Sequence, residues 1–157
     1  QAFARARERR ALRLAIVGAG PELEKLTSLA QSLGVAADVK FVGQLAQVER
    51  ILGAFDLYAI SSDTEQMPIS LVEAMAAALP VAAVDVGDVR DMLAPENRAF
   101  VTPVDDQRLG DAITALLESP ARREIGAANA AKARRNYAED AMVAAYDGLY
   151  RGASGLV

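Results

Sequence analysis

Over the first two thirds of the chain, short apolar runs of strand length alternate with longer stretches in which apolar residues recur every three or four positions. The runs "LRLAIVG", "DVKFVG", "DLYAISS", "PVAAVDV" and "AFVTP" predict strands, and "PELEKLTSLAQSL", "QVERILGAF", "ISLVEAMAAAL" and "VRDML" predict helices between them. Strands and helices that alternate without a low-complexity linker indicate an α/β domain on a parallel sheet. After "AFVTP" the pattern is helical only, through "DDQRLGDAITALLES", "ARREIGAANAAKARRNY" and "AEDAMVAAYDGLYRG", a carboxyl-terminal extension. Asp105 or Asp106 suits the N-cap of the first of these helices, and Pro103 and Pro120 sit where helices start but do not continue. The opening "QAFARARERR" reads as the tail of a helix with no strand before it, so the expectation is a chain truncated at its amino-terminal edge.

In an open parallel sheet, ligands bind at the carboxyl ends of the strands, where successive connections diverge. That places a candidate site on the loops after Val17, Val42, Ile60 and Val84, which hold "GAGPE", "GQL", "SSDTEQMP" and "DVGDVR".

Composition narrows the chemistry. With 157 residues, 52% of them apolar, the chain fits one domain with one core, residues 1–157. It has no cysteine and no histidine. Disulfides, thiolate nucleophiles, Ser-His-Asp triads and nearly all zinc or iron sites are thereby excluded. A formal net charge of −4 argues against nonspecific nucleic-acid binding. The basic clusters at Arg5–Arg13 and Arg122–Arg135 read as solvated helix faces. The longest apolar run, Ile69–Val84, is broken by Glu73 and Pro80 and falls short of a membrane span. No secretory signal is evident, and a soluble, cytoplasmic protein is the expectation.

Within that run Glu73 stands out, because from Gln66 to Val84 it is the only charged side chain. Burying a carboxylate without partners costs several kcal/mol, so this one needs hydrogen-bond donors, and a sugar diol offers two. The alternatives are a solvent-facing Glu73 or a pair with Arg90. The helix carrying it opens near Pro68. Ile69, Ser70 and Leu71 are then expected to present free backbone N–H groups at the sheet rim, a seat for a diphosphate at the positive end of the helix dipole. Glu65 lies on the rim itself, where a favourable interaction with that dipole is its plainest role. "GAGPE" matches the dinucleotide fingerprint only at Gly18 and Gly20, since the third glycine position is Leu23. A tight strand-to-helix turn accounts for both glycines.

Together, "LAIVGAGPELEKL", "VKFVGQL", "AFDLYAISSDTEQMPISLVEAMAAALPVAAVDVGDVRDML" and "YDGLYRG" resemble the carboxyl-terminal, nucleotide-sugar donor-binding domain of group 1 glycosyltransferases. The most specific element is E-x7-E, Glu65 to Glu73, followed by "EAMA" and "PV". The resemblance implies one half of a GT-B fold, a Rossmann-like three-layer α/β/α domain facing an amino-terminal acceptor-binding domain across a cleft. It implies a retaining, metal-independent enzyme of polysaccharide or glycolipid synthesis with no cofactor beyond its donor, either in the cytoplasm or peripheral to the inner face of a membrane. Carried over by position, Glu73 would bind the ribose hydroxyls and Glu65 the transferred sugar near its reacting carbon. Gln66, Met67, Pro68, Ile69, Ser70 and Leu71 would line the sugar and diphosphate, with Gly18 and Gly20 approaching the ligand and Gly43 bordering the base.

The family places an Arg and a Lys on the diphosphate from a loop whose positions lie before Gln1, so the isolated chain is expected to lack transfer activity. Gln66, Ala78 and Asp88 stand where the family usually has glycine, and Ala78 falls where helices commonly end left-handed, so a different helix end is anticipated there. The terminal helix, residues 139–151, would cross onto the acceptor domain, and its apolar face would otherwise self-associate or lose order. Two other readings remain, a Rossmann-like nucleotide- or NAD-binding module without transfer chemistry and an inactive domain kept for interaction.

Overall fold

The computed structural model describes residues 1–154. Its order is α1 (Ala2–Arg9), β1 (Leu14–Val17), α2 (Leu23–Ser32), β2 (Val39–Gly43), α3 (Glu49–Leu52), β3 (Tyr58–Ile60), α4 (Ile69–Ala76), β4 (Val81–Val84), α5 (Val89–Met92), β5 (Val101–Thr102), α6 (Asp106–Glu118), α7 (Arg122–Tyr137) and α8 (Glu139–Ser154). Every strand anticipated from the sequence is present, shortened at its ends. The weakest helix, "QVERILGAF", contracts to the single turn of α3.

All ladders are parallel, but the sheet is hydrogen-bonded in two parts, β1–β2 and β3–β4–β5. Among the described residues no ladder joins them. The parallel pairing expected from the sequence holds within each part, and among the described strands only β4 is paired on both edges.

β4 shows why its sequence is an unbroken apolar run. Successive side chains point to opposite faces of a sheet, and both faces of this strand are covered. Val81 and Ala83 pack with Leu71, Met75, Val89, Met92 and Leu93 on one side. On the other, Ala82 and Val84 meet Leu109, Ile113, Leu116 and Ile125, joined by Ala2 and Ala6. The result is helix, sheet and helix in three layers around a strand whose four residues are all buried. Small residues let the outer layers close. A Cβ on Gly110 would sit 2.8 Å from the Ala2 carbonyl oxygen, so α1 crosses α6 at backbone contact. Asp105 is the N-cap of α6, accepting the Arg108 N–H at 2.8 Å.

The end of α4 differs from expectation. Ala78 does take the left-handed conformation, φ 59°, despite its Cβ. The Ala78 N–H donates to Met75 O at 2.9 Å and the Leu79 N–H to Ala74 O at 3.0 Å, the paired bonds that close a helix in this way. Tertiary contacts enforce it. Gly126 of α7 lies so close that a Cβ there would be 3.0 Å from the Ala78 carbonyl carbon. Buried Asn129 donates to Leu79 O at 3.0 Å and to Asn97 Oδ1 at 2.7 Å, and accepts the Ala94 N–H at 3.1 Å. Asn97, also buried, exchanges two bonds with the Val81 backbone as a neighbouring strand would.

α8 leaves Met142, Val143, Tyr146, Leu149 and Tyr150 exposed. Among the described residues no helix is long and apolar enough to cross a membrane.

Candidate functional site

β3 ends at Ile60, and the chain crosses the rim as a loop to Pro68 before α4 begins. Leu71, Ala74 and Met75 anchor α4 in the core. Their burial leaves Glu73 off the core side of the helix, where it is half-buried. Its carboxylate has no hydrogen bond or ion pair among the described residues, while its carbonyl accepts the Ala77 N–H at 3.0 Å. Arg90, the alternative partner, donates instead to Asp85 at 2.7 Å.

Pro68 is the N-cap, with extended backbone and no side-chain cap. The N–H groups of Ile69 and Ser70 find no backbone acceptor, but that of Leu71 donates to the Pro68 carbonyl at 3.1 Å. The expected row of three free amides is corrected to two, because the first turn tightens over the proline. Gln66, Met67, Ile69 and Ser70 are all exposed, so this part of the rim is an open shelf.

Glu65 is half-buried and accepts a 2.7 Å hydrogen bond from Ser62 Oγ. Tyr58, at the start of β3, has its hydroxyl beside Ser70 with Glu65 and Glu73 within electrostatic range. Burial is the main cause holding the Tyr58 pKa above its ordinary 10.0; the Ser70 bond lowers it, and the two carboxylates raise it. Ser62 and Tyr58 belong to the site and were not singled out from the sequence. Their side chains gain meaning only once β3 and α4 are side by side, and only the run "SSDTE" offered a hint.

The glycines form a second group on the β1–β2 part. The Gly18 N–H donates to Gly43 O at 2.9 Å, and both residues have positive φ, 133° and 78°. This pinch joins the two strand ends. Gly20 lies in the turn that opens α2, consistent with the simple strand-to-helix turn. The loop after β4 reaches the other group, where the Asp88 N–H donates to the Gln66 carbonyl at 3.1 Å.

The shelf therefore offers two unpaired helix-start amides and a half-buried carboxylate with free acceptor capacity. A second, held carboxylate stands one loop away. Amides of this kind suit an anionic oxygen, and a carboxylate suits hydroxyl donors.

Helices on both faces of parallel strands define a Rossmann-like α/β/α domain, the architecture of one half of a GT-B fold. The chain belongs to the family "Glycosyl transferases group 1", whose model matches residues 1–133. Phosphatidyl-myo-inositol mannosyltransferase of Mycobacterium leprae is 36% identical over 130 residues, 80% of this chain and 34% of that protein. Exopolysaccharide phosphotransferase SCO2592 of Streptomyces coelicolor is 30% identical over 154 residues, 96% of this chain but 16% of its own length. In structure, Alr3699/HepE of Anabaena, crystallised with UDP, superposes with a TM-score of 0.81 at 23% identity, over 99% of this chain and 44% of that one. The chain thus spans less than half the length of each.

Proposed function

We propose that this chain is the donor-binding domain of a glycosyltransferase that moves a hexosyl group from a nucleoside-diphosphate sugar to an acceptor with retention of configuration. The observation that carries the reading is Glu73, a half-buried carboxylate without a protein partner one turn above two unpaired helix-start amides. A ribose diol supplies the donors that Glu73 lacks, and a diphosphate takes the Ile69 and Ser70 N–H groups. Glu65, held by Ser62, faces the transferred sugar, with Gln66 and Met67 beside it. Gly18, Gly20 and Gly43 let the β1–β2 part approach the nucleotide closely.

Relatives support the class. One similar protein is a mannosyltransferase by name, and a structural neighbour was crystallised with UDP. The terminal helix docks on an acceptor-binding domain through its exposed apolar face, and the whole enzyme works in the cytoplasm or at the inner membrane face. The incomplete "GAGPE" fingerprint, with Leu23 at the third glycine position, weighs against an NAD-binding module.

Titration of the chain with UDP, GDP and ADP, before and after Glu73→Ala, tests the reading. Loss of two hydrogen bonds to a carboxylate should weaken the preferred nucleotide by about tenfold or more. Binding indifferent to the substitution would remove Glu73 from the ribose.

A further inference from the structure

The loop after β4 passes against the peptide that carries Glu65. Gly87 has φ 51°, and a Cβ built on it would overlap the Glu65 carbonyl oxygen, lying 2.7 Å from the Glu65 carbonyl carbon and 3.1 Å from the Gln66 carbonyl oxygen. These are backbone atoms, which cannot swing aside as a side-chain tip can. The candidate-site glycines differ: at Gly18, Gly20 and Gly43 an added Cβ meets nothing within 4 Å. Gly87 needs glycine twice over, for its backbone angle and for its neighbour.

The contact is reinforced on either side. The Asp88 N–H ties down the Gln66 carbonyl at 3.1 Å, and Ser62 Oγ holds Glu65 Oε1 at 2.7 Å. Glu65 is thus fixed through its side chain from the β3 end and through its peptide from the β4 loop. Glu73 depends on neither clamp, since α4 is anchored by Leu71, Ala74 and Met75 and closed against α7.

We infer that Gly87 is a positioning residue for Glu65: by letting the β4 loop lie against the Glu65–Gln66 peptide, it sets where that carboxylate stands relative to the sugar of the bound donor. The inference rests on the proposed role of Glu65. A side chain at 87 lifts the Glu65 peptide off β4 and leaves the helix carrying Glu73 where it is. The sugar's share of donor affinity should fall while the nucleotide's share stays.

The test is a ratio of affinities. UDP and UDP-glucose, and in parallel GDP and GDP-mannose, are titrated into the wild-type chain, Gly87→Ala, Ser62→Ala and the remote control Gly53→Ala, where an added Cβ meets open space. Expected is a drop of about tenfold in the sugar-nucleotide to nucleotide affinity ratio for Gly87→Ala, the loss of one hydrogen bond to a charged group. Ser62→Ala, which leaves the backbone alone, should lower the same ratio less, and Gly53→Ala should not move it. The nucleotide affinity itself should stay within about twofold for all three, a change below 0.5 kcal/mol. An unchanged ratio in Gly87→Ala and Ser62→Ala overturns the inference. So does equal loss of both ligands, or a Gly87→Ala chain too unstable to titrate, either of which assigns Gly87 to the fold. A wild-type chain that binds nucleotide but gains nothing from the sugar removes Glu65 from the sugar and this inference with it, while the Glu73→Ala result stands apart.

Discussion

Asn129 is fully buried, and its amide serves three neighbours, Leu79 after α4 and Ala94 and Asn97 in the α5–β5 connection. Replacing it by Ala leaves the Leu79 carbonyl and the Ala94 N–H buried without partners. Each orphaned group costs about 1–3 kcal/mol, so Asn129→Ala should destabilise the chain by about 3 kcal/mol, read as a lowered urea midpoint. Residues of this kind are hard to read in advance. Asn129 sits in "GAANAAKARRNY", where it looks like any polar residue on a solvated helix, and its partner Leu79 is 50 positions away. Glu73 was legible for the opposite reason: one charge in a long apolar run is visible without knowing what surrounds it. Gly87 lies between, since its glycine is visible in "DVGDVR" but the peptide pressing on it is not.

At the scale of elements, helix α4 links core and rim. Its buried side seats it against β4, and its first turn offers amides at the rim. Its last turn closes through Ala78 at φ 59°, a conformation that costs an L-residue with a Cβ about 1–2 kcal/mol. Glycine relieves that strain and gives back part of the gain as chain entropy. Ala78→Gly should therefore stabilise the chain by about 0.5–1 kcal/mol, raising Tm by roughly 2 °C in a thermal melt. The strand and helix periods of the sequence marked every major element, because β4 and α4 bury what their patterns say they bury. The ends were less visible: Ala78 keeps its unfavourable angle because Gly126 and Asn129, far along the chain, hold the helix terminus in place.

Over the whole molecule, charge decides what the chain can do alone. Asp63, Glu65, Glu73 and Asp88 stand in or beside the rim loops, and Arg90 is engaged by Asp85. A departing diphosphate needs cationic or N–H donors aimed at it, usually the largest catalytic term, and two free amides are a small share of that. We expect the 157-residue chain to bind nucleotide yet transfer no measurable sugar from UDP-glucose or GDP-mannose to any acceptor. Radiolabelled donor would reveal transfer, and its detection would refute this. The two-part sheet was the feature of the fold least legible in the sequence. Strand patterns report which residues are strands, but which strands pair is set by the three-dimensional course of the chain.

Seen in the order of synthesis, the clasp between α4 and α7 carries a further consequence. A ribosome delivers Leu79 50 residues before Asn129, so the helix bearing Glu73 leaves the exit tunnel with the Leu79 carbonyl beyond its end unclaimed and its left-handed terminus unsupported. At synthesis rates of about 5–20 residues per second, that interval lasts on the order of several seconds. The helix that carries Glu73 is thus complete well before the residue that secures its end has been made.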